Sequence, residues 1–172
     1  MSHLGHLAKR FFGSLVPREP SAADVSWAEQ QLLPGEADLW RSMSRADRRH
    51  SVAVARRTLG ALEARASRAT LAAGLLHDVG KVASALGTYR RVGATVVVRI
   101  VGRSHAATWR QAGGLRHRVG LYADHPAIGA DLLERAGSEP LTVAWTREHH
   151  LPERQWTVSP ALAHALKAAD DD

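Results

Sequence analysis

The chain has 172 residues, of which 45% are hydrophobic and 23% charged, and its formal charge at pH 7 is +6. This composition indicates one folded domain, and the lack of cysteine excludes disulfide frameworks, thiolate zinc sites, iron–sulfur clusters and cysteine nucleophiles. No apolar run approaches the ~20 residues of a membrane-spanning helix, and no signal-peptide core is present, so we expect a cytoplasmic protein without a transmembrane segment.

Apolar residues at helical spacing predict a succession of helices separated by proline and glycine. The first is an amphipathic helix over residues 1–16, within an N-terminal arm that extends to residue 20. Val96, Val97 and Val98 favour a strand locally, but no partner strand with an alternating pattern exists, so a helix is predicted there. Gly113 and Gly114 predict a loop with short helical turns over residues 109–121. The main domain, residues 21–172, is predicted to be an all-α bundle with helices at 21–33, 36–43, 44–64, 69–77, 81–103, 125–137, 140–150 and 159–170.

Histidine and aspartate residues concentrate at the predicted helix ends. Adjacent residues in mid-helix project about 100° apart, whereas at a helix end both side chains of a doublet can converge on one centre. Five imidazoles and two carboxylates form a ligand set that suits Fe, Mn, Co or Zn. The candidate metal ligands are His50 within a helix, and His77, Asp78, His125, His149, His150 and Asp170 at helix ends.

The apolar residues that precede the two aspartates of this set indicate where each carboxylate lies. Asp78 follows the strongly apolar stretch 71–76, where a carboxylate is costly unless it is paired or bound to metal. Asp170 could belong to a solvated acidic tail. However, Leu162 and Leu166 precede it at steps of four, which predicts that Asp170 lies on the buried face of the last helix.

The pattern of these residues resembles the HD-domain superfamily of metal-dependent phosphohydrolases over residues 40–172. The matching elements are an upstream His50, the string from Leu75 to Lys81 (LLHDVGK) and a closing Asp170. His125 with its following proline, and the later histidine pair, are similar to the binuclear branch that includes the HD-GYP proteins. The resemblance implies an HD-type helical bundle in which one metal is held by His50, His77, Asp78 and Asp170, and a second, bridged by Asp78, is held by His125, His149 and His150.

The chain also departs from the HD-GYP pattern. Leu151, Pro152 and Glu153 follow the histidine pair where those proteins carry the GYP stretch, and Ala46 stands where some of them place a glutamate for a third metal. The resemblance therefore implies two metals rather than three and does not imply cyclic-di-GMP as the substrate.

The implied activity is hydrolysis of a nucleotide or related small phosphate ester. Two divalent cations outweigh the charge of two aspartates, and the surplus can bind a phosphoester and lower the pKa of a bridging water toward roughly 7. Fe or Mn is the expected metal, with Co, Ni or Zn as alternatives. Asp78 and Lys81 are the predicted catalytic residues, and Lys81, Arg147 and Arg154 are candidates for binding substrate phosphate.

Three other functions stay open at this point. Some HD-fold proteins use the same ligands in a diiron oxygenase, and others are regulatory domains that bind nucleotide without turnover. Nucleic-acid binding has weaker support, because it depends on the basic charge alone. The sequence does not indicate an oligomeric state.

Overall fold

The computed structural model describes residues 19–172, and within this range the fold is all-α. The predicted helix over residues 1–16 lies outside the described residues. Short 3-10 turns occur at Glu63–Arg65, Val79–Ser84, Trp109–Gln111 and Glu153–Gln155. The α-helices are α1 (Ala22–Gln30), α2 (Pro34–Ser42), α3 (Arg45–Leu62), α4 (Arg68–Leu76), α5 (Thr88–Val101), α6 (Arg103–Thr108), α7 (Gly114–Ala123), α8 (His125–Arg135), α9 (Pro140–Glu148) and α10 (Pro160–Asp171).

Local sequence signals set most of the helix starts. The hydroxyls of Ser21, Ser44 and Ser67 each accept a hydrogen bond from the backbone N–H three residues later, which is the N-cap arrangement. Proline occupies the first turn of four other helices, where its missing N–H leaves no hydrogen bond unmade. The starts predicted for the helices over 21–33 and 44–64 are confirmed to within one residue.

Two predicted segments differ from the structure. The helix predicted over 81–103 begins only at Thr88, because the chain first forms a 3-10 turn and then enters the left-handed region at Ala85 (φ 47°). The loop with short helical turns predicted over 109–121 is only partly right: a 3-10 turn forms at Trp109–Gln111, but one continuous helix, α7, occupies most of the segment. Val119 and Ala123 lie four residues apart on α7 and are both buried, and this packing outweighs the glycine pair at the start of the helix.

Helix α4 lies at the centre of the main core. Every residue from 69 to 76 is buried, with α3 on one side and α9 on another, and α10 packs against α3. The indoles of Trp40 and Trp145 are fully buried around it. The C-terminal end of α4, where the predicted ligands begin, is therefore fixed by packing on several sides. No described helix, α4 included, is both long and apolar enough to cross a membrane.

Two glycines allow the 3-10 turn after α4 to lie directly against α8. A Cβ atom on Gly80 would lie 2.0 Å from the His125 carbonyl oxygen and 2.6 Å from the Gly129 nitrogen. A Cβ atom on Gly129 would in turn lie 2.9 Å from the Thr146 methyl group. These distances are too short for real contacts, so only glycine permits this approach. The turn that carries Asp78 and the start of α8 that carries His125 are thereby held together.

A smaller core lies under α5, α6 and α7. Its buried residues include Leu86, Ala94, Val98, Ala106 and Val119, with the aromatic rings of Trp109 and Tyr122 packed at its edge. Helix α7 joins this part of the fold to the main core, because it also contacts the 3-10 turn of residues 79–84. One side of the predicted ligand cluster thus faces α6 and α7.

Candidate metal centre

Five histidine rings form a continuous cluster where the ends of several helices meet. Neighbouring rings have centroid separations of 5.6 Å for His50–His77, 5.3 Å for His77–His149 and 4.1 Å for His149–His150. The His125 ring lies 5.6 Å from His149 and 5.2 Å from His150. The structure thus brings together imidazoles that are spread over 101 positions of the sequence, from α3 to the end of α9.

Three of these rings are held in the same way by the backbone. The Nδ1 atoms of His77, His125 and His149 hydrogen-bond to the carbonyl oxygens three residues earlier, at 2.9, 2.7 and 2.9 Å. A carbonyl oxygen only accepts, so each Nδ1 carries the proton and each neutral ring presents a lone pair on Nε2. This arrangement is typical of histidines that bind metal through Nε2.

Those three Nε2 atoms are buried, and none makes a hydrogen bond of normal geometry in the described part of the chain. A buried polar atom without a partner costs free energy. The Nε2 atoms of His125, His77 and His149 instead lie 3.1, 3.4 and 3.8 Å from oxygens of the Asp78 carboxylate. A cation between them would satisfy the lone pairs of His125 and His149, and that of His77 in its neutral form, so the residues present fit a metal site.

Asp78 takes part in both groups of candidate ligands. In each group, one ligand atom per residue lies within 4.8 Å of every other. The first group contains His50, His77 and Asp78, and the second contains Asp78, His125, His149 and His150. Asp78 is buried, His150 is exposed, and the second group therefore opens toward solvent at His150. The arrangement can hold metal ions on either side of one carboxylate.

Asp170 lies beside the first group, on the last turn of α10. Its Oδ1 atom is 3.0 Å from His50 Nε2 and 3.4 Å from His77 Nε2. This turn is held in place by Arg57 of α3, whose Nε and Nη2 atoms donate to the Ala169 carbonyl oxygen at 2.9 and 2.6 Å. Asp170 therefore faces the cluster, as the spacing of Leu162 and Leu166 predicted, rather than extending into a solvated tail.

Lys81 forms an ion pair with Asp78 across one turn. Its side chain is mostly buried. Burial lowers the pKa of Lys81, but the charge of Asp78 outweighs it and the net shift is upward. For Asp78 the largest influence is again burial, which raises its pKa, yet Lys81 and His77 together hold the pKa well below its usual value. Asp78 is thus an anion and Lys81 a cation throughout the physiological range.

The three histidines that are held by backbone carbonyls differ in pKa. Burial lowers the pKa of His77, but the carboxylates of Asp78 and Asp170 outweigh it and raise the pKa to about 10. Burial dominates for His125 and His149, and it lowers the pKa of both. At neutral pH His77 is therefore protonated, whereas His125 and His149 are neutral and have free Nε2 lone pairs.

This difference predicts that metal binding releases protons. A cation can bind Nε2 of His77 only after the proton on that atom leaves, and the pKa of about 10 places this loss above neutral pH. We expect release of about one proton per chain at neutral pH, and metal affinity that falls as the pH falls below 10. Calorimetry in buffers with different ionisation enthalpies measures the proton count. Binding without proton release, or affinity that does not change with pH, would contradict the assignment of His77 as a ligand.

Sequence reasoning missed Glu148, which fixes the end of α9. Its buried carboxylate accepts hydrogen bonds from the Thr157 backbone N–H at 2.6 Å and the Thr157 hydroxyl at 2.5 Å. These bonds tie the residue just before His149 to the segment that leads into α10. The sequence carries no local sign of this role, because the partner lies nine positions later in an irregular segment.

Arg103 is a second residue that sequence reasoning missed. It is half-buried at the start of α6 and donates to the Ala123 carbonyl oxygen at 2.9 Å, two residues before His125. Burial lowers the pKa of Arg103, and its charge also adds to the lowering of the His125 pKa that burial causes. Among the described residues no carboxylate forms an ion pair with it, so this cation is available on the open side of the cluster.

The two predicted phosphate-binding arginines lie on the surface. Arg147 on α9 forms ion pairs with Asp131 and Glu134 of α8, at 3.2 and 3.1 Å. Arg154 is exposed in the 3-10 turn after the histidine pair. Their role in binding substrate stays a prediction. Lys81, in contrast, lies in contact with the candidate ligands.

No protein-family model, curated protein or solved structure matches this chain.

Proposed function

We propose that this protein is a metal-dependent phosphohydrolase of the HD type, acting on a nucleotide or related phosphate ester with two divalent cations. The observation that carries the proposal is the convergence of three buried, unpartnered histidine Nε2 atoms on the carboxylate of Asp78. Such a set of imidazoles around a shared carboxylate suits Fe or Mn, and also Co, Ni or Zn. The order of the residues along the chain agrees with the HD pattern, from His50 through the His77–Asp78 pair to Asp170.

The residues divide into three roles. His50, His77 and Asp170 would hold one cation, His125, His149 and His150 the other, and Asp78 both. When bound, the cations would supply Lewis acidity, which acidifies water and neutralises charge on phosphate oxygens. The backbone carbonyls at Nδ1 orient the rings, and the apolar residues of α4 exclude bulk water from the inner side of the cluster.

Two cations of the chain itself would bind the substrate. Lys81 contacts Asp78 directly, so its ammonium group lies beside the position of a phosphate that approaches the cluster. Arg103 lies near the start of α8 and has several N–H groups that no carboxylate occupies among the described residues. A guanidinium can bind two phosphate oxygens at once, which would orient the ester before hydrolysis.

The proposal is tested with protein prepared without oxygen. We expect about two metal ions per chain by mass spectrometry and hydrolysis of bis-p-nitrophenyl phosphate when Mn or Fe is supplied. A chelator should abolish this activity, and added metal should restore it. A nucleotide and phosphoester panel then identifies the substrate class. A metal-loaded protein that hydrolyses none of these esters, or substrate loss that requires oxygen uptake, would overturn the proposal.

Replacing Arg103 by alanine is expected to weaken substrate binding more than it slows turnover. The guanidinium would contact phosphate but no candidate metal ligand, so we expect KM to rise about tenfold to a hundredfold with metal content unchanged. Steady-state kinetics with the best ester of the panel measures the effect.

The matched control for this variant is Arg116→Ala. Arg116 is exposed and its guanidinium stacks on the Trp109 ring at 4.6 Å. His105→Ala provides a histidine control, because that exposed ring packs against Trp109 and not against the cluster. Both variants should keep the kinetic constants of the unmodified protein. An unchanged KM in Arg103→Ala, or a large loss of activity in His105→Ala, would contradict the assignment of roles.

A further inference from the structure

Helix α5 is apolar on two opposite faces. Ala94 and Val98 are buried in the small core, as expected for the inner face of an amphipathic helix. On the opposite face, Tyr89, Val96 and Ile100 are 78%, 54% and 77% exposed. Steps of seven and four residues place these three side chains on one line along the helix, and we call them the α5 stripe. Exposed apolar side chains that line up in this way, unlike ones scattered singly, are candidates for an interaction surface.

The segment that contains the α5 stripe is strongly basic. Residues 79–123 include one lysine and seven arginines and no aspartate or glutamate, which gives a charge of +8. Because the whole chain carries +6, the remaining residues carry a net −2. The basic charge noted in the sequence is therefore not dispersed, but concentrated in the part of the fold that includes α5, α6 and α7.

Two arginines flank the α5 stripe on either side. Helical geometry places Arg90 and Arg99 at roughly 100° and 80° from the stripe, in opposite directions around the helix. Both are exposed, and neither forms an ion pair with any residue of the described part of the chain. Long arginine side chains can lay their apolar stems beside such a stripe while the guanidinium binds an anion. The α5 stripe with these two flanking cations forms one surface.

The charge of this surface limits what can cover it. If a second copy of the chain packed with its α5 stripe against this one, Arg90 and Arg99 would lie close to the flanking arginines of the other copy. These like charges would repel each other. Residues 1–18 also carry basic residues and no acidic ones, so they are not complementary. Nucleic acid is anionic, and a base can stack on Tyr89, but it has no aliphatic phase that would cover Val96 and Ile100, the other two members of the stripe. A tyrosine and two aliphatic side chains flanked by arginines fit an anionic lipid surface best.

We propose that α5 docks the protein on an anionic lipid bilayer. The helix lies in the plane of the interface, with the α5 stripe at the boundary between headgroups and acyl chains, and Arg90 and Arg99 bind lipid phosphates. The remaining arginines of residues 79–123 add long-range attraction to the negative surface. This inference does not depend on the proposed catalytic function, because the surface contains no candidate metal ligand.

Co-sedimentation with vesicles tests the proposal on the full-length chain. We expect binding to vesicles that contain roughly one-third phosphatidylglycerol, little binding to pure phosphatidylcholine, and release at high salt. Arg90→Gln combined with Arg99→Gln should lower the partition coefficient roughly 30-fold, since each basic side chain near an anionic surface contributes about a factor of five. Ile100→Ser should lower it roughly tenfold through lost apolar contact.

The matched control removes the same charge elsewhere. Arg65 and Arg135 are exposed outside the basic segment, so Arg65→Gln combined with Arg135→Gln should change the partition coefficient less than about threefold. Thermal melting and metal content of each variant check that the fold and the metal centre are unchanged. A control variant that binds as weakly as the α5 variants would overturn the proposal, as would unmodified protein that fails to bind the anionic vesicles.

Two further measurements test whether nucleic acid or a second copy of the chain, rather than lipid, covers the α5 stripe. Binding of a single-stranded oligonucleotide that is tighter than vesicle binding and unaffected by Ile100→Ser would overturn the proposal in favour of nucleic acid. A dimer detected by light scattering that Ile100→Ser dissociates would overturn it in favour of a second copy. A monomer that binds vesicles through α5 supports it.

Discussion

Asp78→Ala is expected to abolish both metal binding and phosphoester hydrolysis. Asp78 is the one residue shared by both groups of candidate ligands, so its loss removes a ligand from each. Metal ions contribute several kcal/mol to such reactions, and we expect the rate to fall roughly a thousandfold or more. Metal content by mass spectrometry and hydrolysis of bis-p-nitrophenyl phosphate measure the two effects. Full activity in this variant would dismiss the proposed function.

A second substitution separates the loss of function from a loss of stability. Removing Asp78 leaves Lys81 without its ion-pair partner in a mostly buried position, and this destabilises the fold. Adding Lys81→Met to Asp78→Ala should therefore recover part of the melting temperature but none of the activity. Asp131→Ala is the surface control, because that carboxylate pairs only with exposed Arg147 among the described contacts. It should keep both metal and activity.

Gly80→Ala is expected to disrupt the metal centre although Gly80 is not a candidate ligand. The added Cβ atom would lie 2.0 Å from the His125 carbonyl oxygen, a backbone atom that can move only if α8 moves with it. We expect the free energy of unfolding to fall by about 1–3 kcal/mol or more, which is the usual effect of overpacking. Because His125 would shift relative to Asp78, metal affinity should also fall roughly tenfold to a hundredfold. Chemical denaturation and metal titration measure these changes.

The control for this variant is Gly60→Ala. Gly60 lies in α3, and a Cβ atom added there would meet no other atom within 4 Å. Alanine favours a helix over glycine by about 1 kcal/mol, so this variant should be as stable as the unmodified protein or slightly more stable. If Gly80→Ala behaved like Gly60→Ala, the close approach of the 3-10 turn to α8 would not be needed for the fold or for the site.

The sequence was sufficient to predict the fold class and the position of the cluster. Helix starts follow from local signals, such as the serine caps of α1 and α3, and the apolar stretch before His77 marks the end of a buried helix. The placement of histidines at helix ends correctly predicted that they would converge. The three consecutive valines lie in a helix, as predicted, although α5 begins later than predicted, and Ala94 and Val98 share its buried face.

The supporting residues could not be predicted, because their partners are distant in the chain or lie in irregular segments. Arg57 binds the Ala169 carbonyl oxygen across 112 positions, and Arg103 reaches Ala123 across 20. For a related reason, the segment that forms helix α7 was predicted only as a loop with short helical turns. Its stability comes from the burial of Val119 and Ala123 in a core built by other helices, which the local glycine pair does not reveal.

The three backbone contacts at Nδ1 have a consequence for how the site is assembled. Each ring is anchored to the helix turn that precedes it, so its rotamer is fixed when the protein folds. The conformational entropy of these three side chains is therefore lost when the protein folds, and not when a metal ion binds. We expect the protein to have the same backbone conformation with and without bound metal. Its selectivity among metal ions would then be set by the fixed positions of the histidine rings rather than by a conformational change on binding.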